Sequence, residues 1–306
     1  MTQRSWSRRD FFRRTAAAGA VALGGAVVMS GCQQVPQGGQ AATGDGGTLQ
    51  RARDAGTITV GIANEAPYGY TDEQGKVTGE SVEVARAVLN KLGIPQINAV
   101  TVEFGALISG LTLSRQFDMV TAGMFINPQR CQAAAFSVPD YTAPTAFLVP
   151  TGNPQGVQTF DQVRDKNLTV AVLSGAVEQG YAADSGVPAG NIQVLGDQNA
   201  LLQAVTTGRA GCAALTNISL NDVVKKNPGA AVEVTPGFFP VINGKEAVSA
   251  GAFVFRKGEN DIIDPFNQQL TAMHQSGEWL QIAQPFGFTQ DNVPAPDVTT
   301  ESLCSA

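Results

Sequence analysis

The stretch Thr121-Ala-Gly-Met-Phe-Ile-Asn-Pro-Gln-Arg-Cys131 joins a predicted strand to a predicted helix. Residues 117–122 form a short apolar run that fits a buried strand. Asn127 and Pro128 are residue types of a helix N-cap and of the first helical position, which predicts a helix to about Phe136. In an open α/β sheet such a crossing lies at the carboxyl edge of the strands, where small molecules bind. The stretch therefore predicts an α/β fold and the edge that carries its site.

Arg130 lies within the first turn of this predicted helix. The helix dipole disfavours an unpaired guanidinium there, whereas the free amides of the turn favour an anion. We therefore expect Arg130 to bind a ligand carboxylate, with Phe125 offering an aromatic face beside it. The alternative is that Arg130 is a solvated surface charge and Phe125 an ordinary core residue.

From Thr57 onward the sequence alternates predicted strands and helices in two successive units. Each unit has β-branched or apolar runs typical of buried parallel strands, separated by helices with one apolar face. In the first unit the strands are at 57–63, 98–103 and 119–122, with helices at 81–93 and 107–113. In the second unit the strands are at 169–172, 192–195 and 212–215, with helices at 176–184, 200–206 and 218–226.

Two extended runs, Thr145–Val149 and Ala250–Phe255, bracket the second unit. Predicted helices at 262–275 and 279–284 follow, so the chain returns to the first unit. We predict a second lobe, residues 146–249, inserted in a first lobe of residues 51–145 and 250–306. The two runs are predicted to cross between the lobes, and a hinge of this kind allows closure on a ligand.

The first 50 residues have the pattern of an export segment followed by a tether. Ser7-Arg-Arg-Asp-Phe-Phe-Arg13 resembles a twin-arginine signal, and the apolar run Ala16–Met29 is too short and too rich in Ala and Gly for a membrane span. Met29-Ser-Gly-Cys32 resembles the cleavage box of bacterial lipoproteins, with Cys32 as the lipidated residue; the alternative is an uncleaved signal with an incidental cysteine. Residues 32–50 predict a flexible tether. We therefore expect an exported protein, anchored by lipid at the outer face of the cytoplasmic membrane.

Charge and residue usage exclude several classes of function. Without residues 1–31 the chain keeps 15 basic and 25 acidic residues, a net charge of −10. This balance argues against nucleic acid or an anionic lipid surface as the principal partner. His274 is the only histidine, and no CxxC or Cys/His spacing occurs, so the sequence predicts neither a metal site nor a cofactor.

Asn64-Glu65-Ala-Pro-Tyr68 follows the first predicted strand and leaves it at the same edge as the crossing at residues 121–131. One carboxylate, two aromatic rings and one guanidinium there suit a zwitterion. Glu65 would accept hydrogen bonds from its cationic part, Tyr68 and Phe125 would cover its faces, and Arg130 would bind its carboxylate. Taken singly, Glu65 could be a surface carboxylate and Tyr68 a packed loop residue; their co-location favours a site.

Several motifs occur in an order that resembles the periplasmic amino-acid-binding proteins of ABC importers. The motifs are Gly61 to Pro67-Tyr68, Gly79–Ala85, Thr121–Met124 with Arg130, Gly251–Gly258 and Gly277-Glu-Trp279. The resemblance implies a two-lobed periplasmic-binding-protein fold, no catalysis, and delivery of a ligand to an ABC permease.

Within that family, five stretches are similar to the ectoine and hydroxyectoine binders: Ile62–Glu65, Ala122–Cys131, Ser219–Asp222, Phe286–Phe288 and Thr299–Cys304. The similarity implies ligand contacts for Glu65, Tyr68, Phe125 and Arg130, and a zwitterionic compatible solute as the ligand. Tyr68 stands where Phe is expected, which keeps the ring and adds a hydroxyl.

The second lobe departs from general amino-acid binders. Those proteins typically place an Asp for the ligand's α-ammonium where this chain has Thr216, followed by Asn217. Such a pocket suits the delocalised cation of ectoine better, although Thr216 is also a good cap for the next helix. We further expect ligand contacts from the backbone amides of Gly175 and Ala176 at a helix N-terminus.

Cys131 and Cys304 occupy positions where the ectoine binders also carry Cys. The resemblance therefore implies a disulfide that ties the tail to the first lobe.

Other functions remain open at this point. Binders of a polar amino acid, an opine or a betaine have the same fold. An enzyme similar to prephenate or arogenate dehydratase is the alternative of another class, with Glu65 as the only obvious acid or base in the predicted cleft.

Overall fold

The computed structural model describes residues 46–242 and 244–305. The predicted export segment, Cys32 and most of the predicted tether lie outside these residues. The tether prediction is wrong for its last residues, because residues 48–50 form the first turn of a helix, Thr48–Ala55. This helix buries Ala52 and ends at Gly56 in the left-handed conformation that glycine adopts without strain.

Eleven α-helices are found among the described residues: α1 Thr48–Ala55, α2 Glu80–Lys91, α3 Leu107–Thr112, α4 Pro128–Ala133, α5 Phe160–Asp165, α6 Val177–Asp184, α7 Gln198–Thr206, α8 Asn217–Lys226, α9 Asn260–Ser276, α10 Glu278–Ala283 and α11 Thr300–Cys304. Among the same residues the strands are β1 Thr57–Ile62, β2 Tyr70–Thr71, β3 Val77–Thr78, β4 Gln96–Thr101, β5 Met119–Phe125, β6 Ala135–Phe136, β7 Tyr141–Thr142, β8 Thr145–Pro150, β9 Val170–Leu173, β10 Ile192–Leu195, β11 Cys212–Thr216, β12 Val232–Val234, β13 Val241–Ile242, β14 Lys245–Glu246 and β15 Ala250–Phe255.

The first sheet has the strand order β4-β1-β5-β15-β6, and β7 also pairs with β15. Strands β4, β1 and β5 are parallel, whereas β15 runs antiparallel to β5. β1 has the sequence TITVGI, and its last three residues are buried, as the β-branched run predicts. We call the part of the chain around this sheet, residues 46–142 and 250–305, the first lobe.

The second sheet has the strand order β10-β9-β11-β8-β12. β10, β9 and β11 are parallel, and β8 runs antiparallel to β11. Strands β8, β9 and β11 are almost entirely buried, and helices α6 and α7 pack on this sheet. We call residues 145–234 the second lobe. In chain order it lies between β7 and β15 of the first, so the predicted insertion and the two-lobed α/β class are confirmed.

The two runs predicted to cross between the lobes are each a strand of one sheet. β8 pairs within the second sheet, and β15 pairs within the first. The chain instead passes between the sheets at Ala143-Pro144, and it returns between Val234 and Ala250. Pro144 has no N–H and cannot donate to a ladder, which is consistent with a break between β7 and β8.

Two predicted helix ends differ from the structure. The predicted N-cap Ser81 lies inside α2, whose N-cap is Gly79 with φ 122°. A Cβ at Gly79 would come within 2.3 Å of the Tyr68 carbonyl oxygen, so the position requires glycine. α4 ends at Ala133 rather than near Phe136, because Ala135 and Phe136 pair with β15 as β6.

The C-terminal segment packs on the first lobe. α11 contacts α4, and the Sγ atoms of Cys131 and Cys304 are bonded to each other. Trp279 of α10 is buried in the core of this lobe. Among the described residues, no helix combines the length and apolarity needed to cross a lipid bilayer.

Candidate functional site

A small cavity of about 20 Å³, lined mostly by buried residues, lies between the two sheets. Six of the predicted ligand-binding residues line it: Glu65, Tyr68, Phe125, Arg130, Ala176 and Thr216. Six further residues that sequence reasoning did not assign complete the wall: Phe104, Gly123, Leu173, Val177, Glu178 and Leu215. Three segments of the first lobe, at residues 65–68, 104 and 123–130, and two segments of the second lobe, at residues 173–178 and 215–216, therefore converge on one space.

Glu65 follows β1 and is turned into the cavity by the loop after that strand. Its backbone pairs with Gly69, and the preceding Asn64 has φ 53°. The side chain is only 5% exposed, and it accepts a hydrogen bond from the Ser219 hydroxyl at 3.0 Å. Burial raises the pKa of Glu65 to about 8, and the charge of Glu178 adds to the rise. This carboxyl group is therefore poised to ionise when a cation comes near it.

The aromatic part of the cavity consists of Tyr68 and Phe125, supported by Tyr141. Tyr68 and Phe125 are buried, and the ring of Tyr141 stacks on Tyr68 at 5.3 Å and lies 6.0 Å from Phe125. The Tyr141 hydroxyl donates to the Gly123 carbonyl oxygen, which fixes its ring behind the cavity wall. Burial and the Glu65 charge raise the pKa of the Tyr68 hydroxyl. The hydroxyl therefore stays protonated and can serve as a hydrogen-bond donor.

Arg130 is held by the strand-to-helix crossing that the sequence predicted. Asn127 caps α4 by accepting the Arg130 backbone N–H at 2.8 Å, and the Arg130 side chain is 9% exposed. Its guanidinium donates to the carbonyl oxygens of Phe125 and Gly175 and lies 5.5 Å from the centre of the Phe104 ring. Burial lowers the pKa of Arg130 to about 10, so the group remains charged at neutral pH. A ligand carboxylate would be a stronger partner than these carbonyls.

Glu178 is a second buried carboxyl group in the cavity, and sequence reasoning missed it. It lies in the first turn of α6, is 1% exposed, and accepts a hydrogen bond from the Thr145 hydroxyl at 3.2 Å. Burial raises its pKa, and the nearby charge of Arg130 opposes that rise. One feature of the sequence could have indicated this residue: it is an acid in the first turn of a predicted helix, and that helix begins at the carboxyl end of a predicted strand.

Thr216 caps a helix, as the sequence allowed, and it also lines the cavity. It is the N-cap of α8, accepting the Ser219 backbone N–H at 3.3 Å, and its hydroxyl oxygen lies 2.7 Å from the Tyr68 hydroxyl. Asn217 was predicted beside it in the site, but it lines a separate groove together with Pro144 and Asn221. The next position on a helix is rotated by about 100°, which turns Asn217 away from the cavity.

The backbone amides predicted to contact a ligand are bonded within the chain. The Gly175 N–H donates to Gln179 Oε1 at 3.4 Å, and the Ala176 N–H donates to the Leu173 carbonyl oxygen at 3.1 Å. Gly175 instead presents its carbonyl oxygen to Arg130. This loop therefore contributes an acceptor to the site and not the expected pair of donors, because the turn after β9 uses its own amides.

The cavity carries two buried carboxyl groups and one guanidinium on aromatic and apolar walls. Such a set can bind a ligand with one anionic group and one cationic or N–H-rich group. Within residues 46–305 apart from residue 243, no cluster of three or more His, Cys, Asp or Glu side chains has the spacing of a metal site.

Residues 58–289 match the family of bacterial extracellular solute-binding proteins, family 3. A probable amino-acid ABC transporter periplasmic-binding protein, y4tE of Sinorhizobium fredii, is 38% identical over 261 residues, which cover 84% of this chain and 86% of the relative.

Two solved structures are similar in fold. The crystal structure of EhuB in complex with hydroxyectoine has a TM-score of 0.77 and 32% identity, covering 85% of this chain and 98% of that protein. An ancestral arginine-binding protein bound to arginine has a TM-score of 0.66 and 26% identity, covering 76% of this chain and 99% of that protein.

Proposed function

Because this chain belongs to the bacterial extracellular solute-binding proteins, family 3, and is a solute-binding protein of the amino-acid ABC transporter type, we propose that its cavity binds ectoine or hydroxyectoine. The two lobes would close on this zwitterion and deliver it to an ABC permease. A lipid anchor on Cys32 would hold the protein at the outer face of the cytoplasmic membrane.

The observation that carries the proposal is the convergence of opposite charges on one aromatic cavity. Glu65 and Arg130 both line it, and both are at least nine-tenths buried. Glu65 would accept the ring N–H groups of ectoine, Tyr68 and Phe125 would cover the ring, and Arg130 would exchange its carbonyl partners for the ligand carboxylate. The cavity of about 20 Å³ holds little more than one water, so the lobes must separate before a ligand of this size can enter.

The expected affinity follows from a few strong contacts. A desolvated cation over an aromatic face contributes about 0.5 to 2 kcal/mol. A hydrogen bond to a charged group contributes about 1.5 to 3 kcal/mol. Two or three such contacts together with burial of the ring, less the cost of ordering, reach roughly −8 kcal/mol, which corresponds to micromolar binding.

The second lobe supports a ligand without a free α-ammonium group. Thr216 stands where general amino-acid binders are expected to place an acid, and its hydroxyl is already engaged with Tyr68 and the α8 cap. A delocalised ring cation needs fewer acceptors than an ammonium group with three N–H donors. Glu178 supplies the only additional carboxyl group among the residues that line the cavity, and its charge interacts with both Arg130 and Glu65.

A titration of the chain with a panel of zwitterions tests the proposal. The panel contains ectoine, hydroxyectoine, glycine betaine, arginine and glutamine, and isothermal titration calorimetry measures each affinity. We expect micromolar or tighter binding of ectoine or hydroxyectoine and at least tenfold weaker binding of glycine betaine, which offers no N–H donor to Glu65. Preferential binding of arginine or glutamine would assign the protein to polar amino acids and refute the ectoine assignment.

A further inference from the structure

Gln198 joins the two lobes through a paired amide contact. It is the first residue of α7 in the second lobe, and it meets Ala66 in the loop after β1 of the first lobe. The Ala66 N–H donates to Gln198 Oε1 at 3.0 Å, and Gln198 Nε2 donates to the Ala66 carbonyl oxygen at 2.9 Å. A side-chain amide that satisfies both backbone groups of one residue is a specific contact, and here it spans 132 positions of the chain.

The second N–H of the same amide reaches the serine that contacts Glu65. Gln198 Nε2 also donates to the Ser219 hydroxyl oxygen at 2.9 Å. That oxygen lies 3.0 Å from Glu65 Oε1 and 3.3 Å from the Ala66 carbonyl oxygen, and Ser219 is buried. A serine hydroxyl has a single proton. Because Ser219 accepts from Gln198, its own proton is directed away from α7, and Glu65 is the nearer acceptor.

We propose that Gln198 is a positioning residue for Glu65: its amide holds the loop at Ala66 and orients the Ser219 hydroxyl as a donor to the Glu65 carboxylate. The inference rests on the proposed function, since it takes Glu65 as the acceptor for the ligand's cationic ring. Gln198 and Ser219 belong to the second lobe and Glu65 to the first. The carboxylate is therefore oriented only when the lobes are together, and closure completes the site.

The contacts of Gln198 affect the rate of ligand dissociation more than the rate of association. An open cleft lacks the contacts of Gln198 and Ser219 with Ala66 and Glu65, so the first encounter with ligand does not depend on them. The closed complex does depend on them. Loss of Gln198 should therefore speed dissociation and leave association nearly unchanged.

The main experiment measures ectoine binding to the full chain by stopped-flow tyrosine fluorescence. We expect Gln198→Ala to raise the dissociation rate at least fivefold, with an association rate within twofold of the wild-type value. Gln203→Ala is the matched control, because Gln203 lies on the same helix with an exposed side chain. We expect that control to bind with wild-type rates.

A second measurement separates positioning from a merely structural role. The Ser219 hydrogen bond favours ionised Glu65 and opposes the effect of burial on its pKa. In the wild type we expect ectoine affinity to increase with pH as Glu65 ionises. In Gln198→Ala and in Ser219→Ala this increase should occur at higher pH. Ser219→Thr keeps a hydroxyl and should have the wild-type pH profile. The other titratable groups that line the cavity, Tyr68, Arg130 and Glu178, are unchanged in these variants.

The outcomes distinguish the inference from the function on which it rests. Wild-type dissociation in Gln198→Ala, or faster dissociation with an unshifted pH profile, overturns the positioning role alone. A wild-type chain that binds no zwitterion of the panel overturns the proposed function, and the positioning role falls with it.

Discussion

The Tyr68 hydroxyl oxygen of the first lobe lies 2.7 Å from the Thr216 hydroxyl oxygen of the second lobe, in a buried hydrogen bond between residues 148 positions apart. Tyr68 also covers one wall of the cavity, so one side chain contacts the ligand space and the opposite lobe. The hydroxyl that distinguishes Tyr68 from the expected Phe thus joins the two lobes, whereas the ring lines the cavity.

Tyr68→Phe should therefore weaken ectoine binding while the aromatic wall stays in place. The variant leaves the Thr216 hydroxyl without this partner in the closed form, at a cost of about 0.5 to 1.5 kcal/mol, which is roughly a two- to tenfold loss of affinity. Calorimetry gives the affinity. Tyr70→Phe is the control, because the Tyr70 ring faces Lys226 at 4.7 Å outside the cavity and keeps that contact. Equal losses of affinity in Tyr68→Phe and Tyr70→Phe would contradict a role of the Tyr68 hydroxyl in lobe closure.

Arg130→Ala should reduce ectoine affinity at least tenfold without unfolding the chain. The substitution removes a charge-assisted contact of about 1.5 to 3 kcal/mol. Arg130→Lys keeps a charge but loses the planar fork, so we expect an intermediate affinity. Calorimetry measures binding and circular dichroism checks the fold. Arg209→Ala, at an exposed position of the second lobe, should bind normally; unchanged titration curves for Arg130→Ala would remove this residue from the site.

Ectoine binding at pH 7 should release a proton from Glu65. In the closed form burial raises the pKa of Glu65 from 4.5 to about 8, so most of the closed, ligand-free protein carries this proton at pH 7. The ligand's cation favours the ionised form, and affinity should rise as pH increases from about 5 to 8 and then level off. Calorimetry in two buffers of different ionisation enthalpy counts the released protons.

Glu65→Gln provides the test of that assignment. The variant should bind more weakly, release no proton and show little change of affinity between pH 5 and 8. Glu178→Gln should retain the proton release, since Glu65 is unchanged. Proton release that persists in Glu65→Gln and disappears in Glu178→Gln would transfer the role to Glu178.

The sequence located the first-lobe half of the site because its signals are local. Asn127 and Pro128 are found at the cap and first position of α4, and Arg130 is placed by that turn. The run Thr57–Ala63 alone indicates a buried strand, and the loop that follows it must leave at the carboxyl edge. Residue types and spacing were sufficient to predict that these residues meet at one edge, whereas the resemblance to the ectoine binders supplied their expected roles.

The second-lobe half could not be predicted with the same accuracy because it depends on how the lobes meet. An acid in the first turn of a helix, such as Glu178, is common for reasons of the helix dipole alone. Gln198 is an ordinary polar residue in the sequence, and only the approach of Ala66 gives it a role. Asn217 shows that an error of one helical position moves a side chain out of the cavity.

Cys304→Ser should destabilise the chain by about 2 to 4 kcal/mol and lower its Tm. The bond between Cys131 and Cys304 closes a loop of 173 positions and holds α11 on the helix that carries Arg130. A cross-link of this kind stabilises mainly by restricting the unfolded chain. Urea unfolding gives the free energy. A reductant should lower the wild-type Tm and leave that of Cys304→Ser unchanged; an effect of reductant on both proteins would have another origin.

Glu80 and Asp140 form a buried carboxyl pair behind the aromatic wall, and their ionisation should make stability fall as pH rises. Both side chains are buried, Trp279 Nε1 donates to Asp140 at 2.7 Å, and the Ser81 hydroxyl donates to Glu80 at 3.0 Å. Burial raises the pKa of Asp140 from 3.8 to about 7, and burial together with the Asp140 charge raises the pKa of Glu80. A raised pKa means that the folded state holds protons that the unfolded chain releases. The stabilisation from these protons is therefore complete below about pH 4 and is lost as pH rises through 7.

Glu80→Gln should remove much of this dependence, because the amide carries no charge and can donate to Asp140. We expect the free energy of unfolding of the variant to fall less between pH 5 and 8 than that of the wild type. At pH 8 it should be higher than the wild-type value by at least about 1 kcal/mol, the equivalent of roughly one pKa unit. Urea unfolding at the two pH values measures the change. Glu73→Gln, an exposed position, should follow the wild-type curve. If Glu80→Gln runs parallel to the wild type across this range, the pair does not control the pH dependence, and the loss of stability at higher pH must come from other groups.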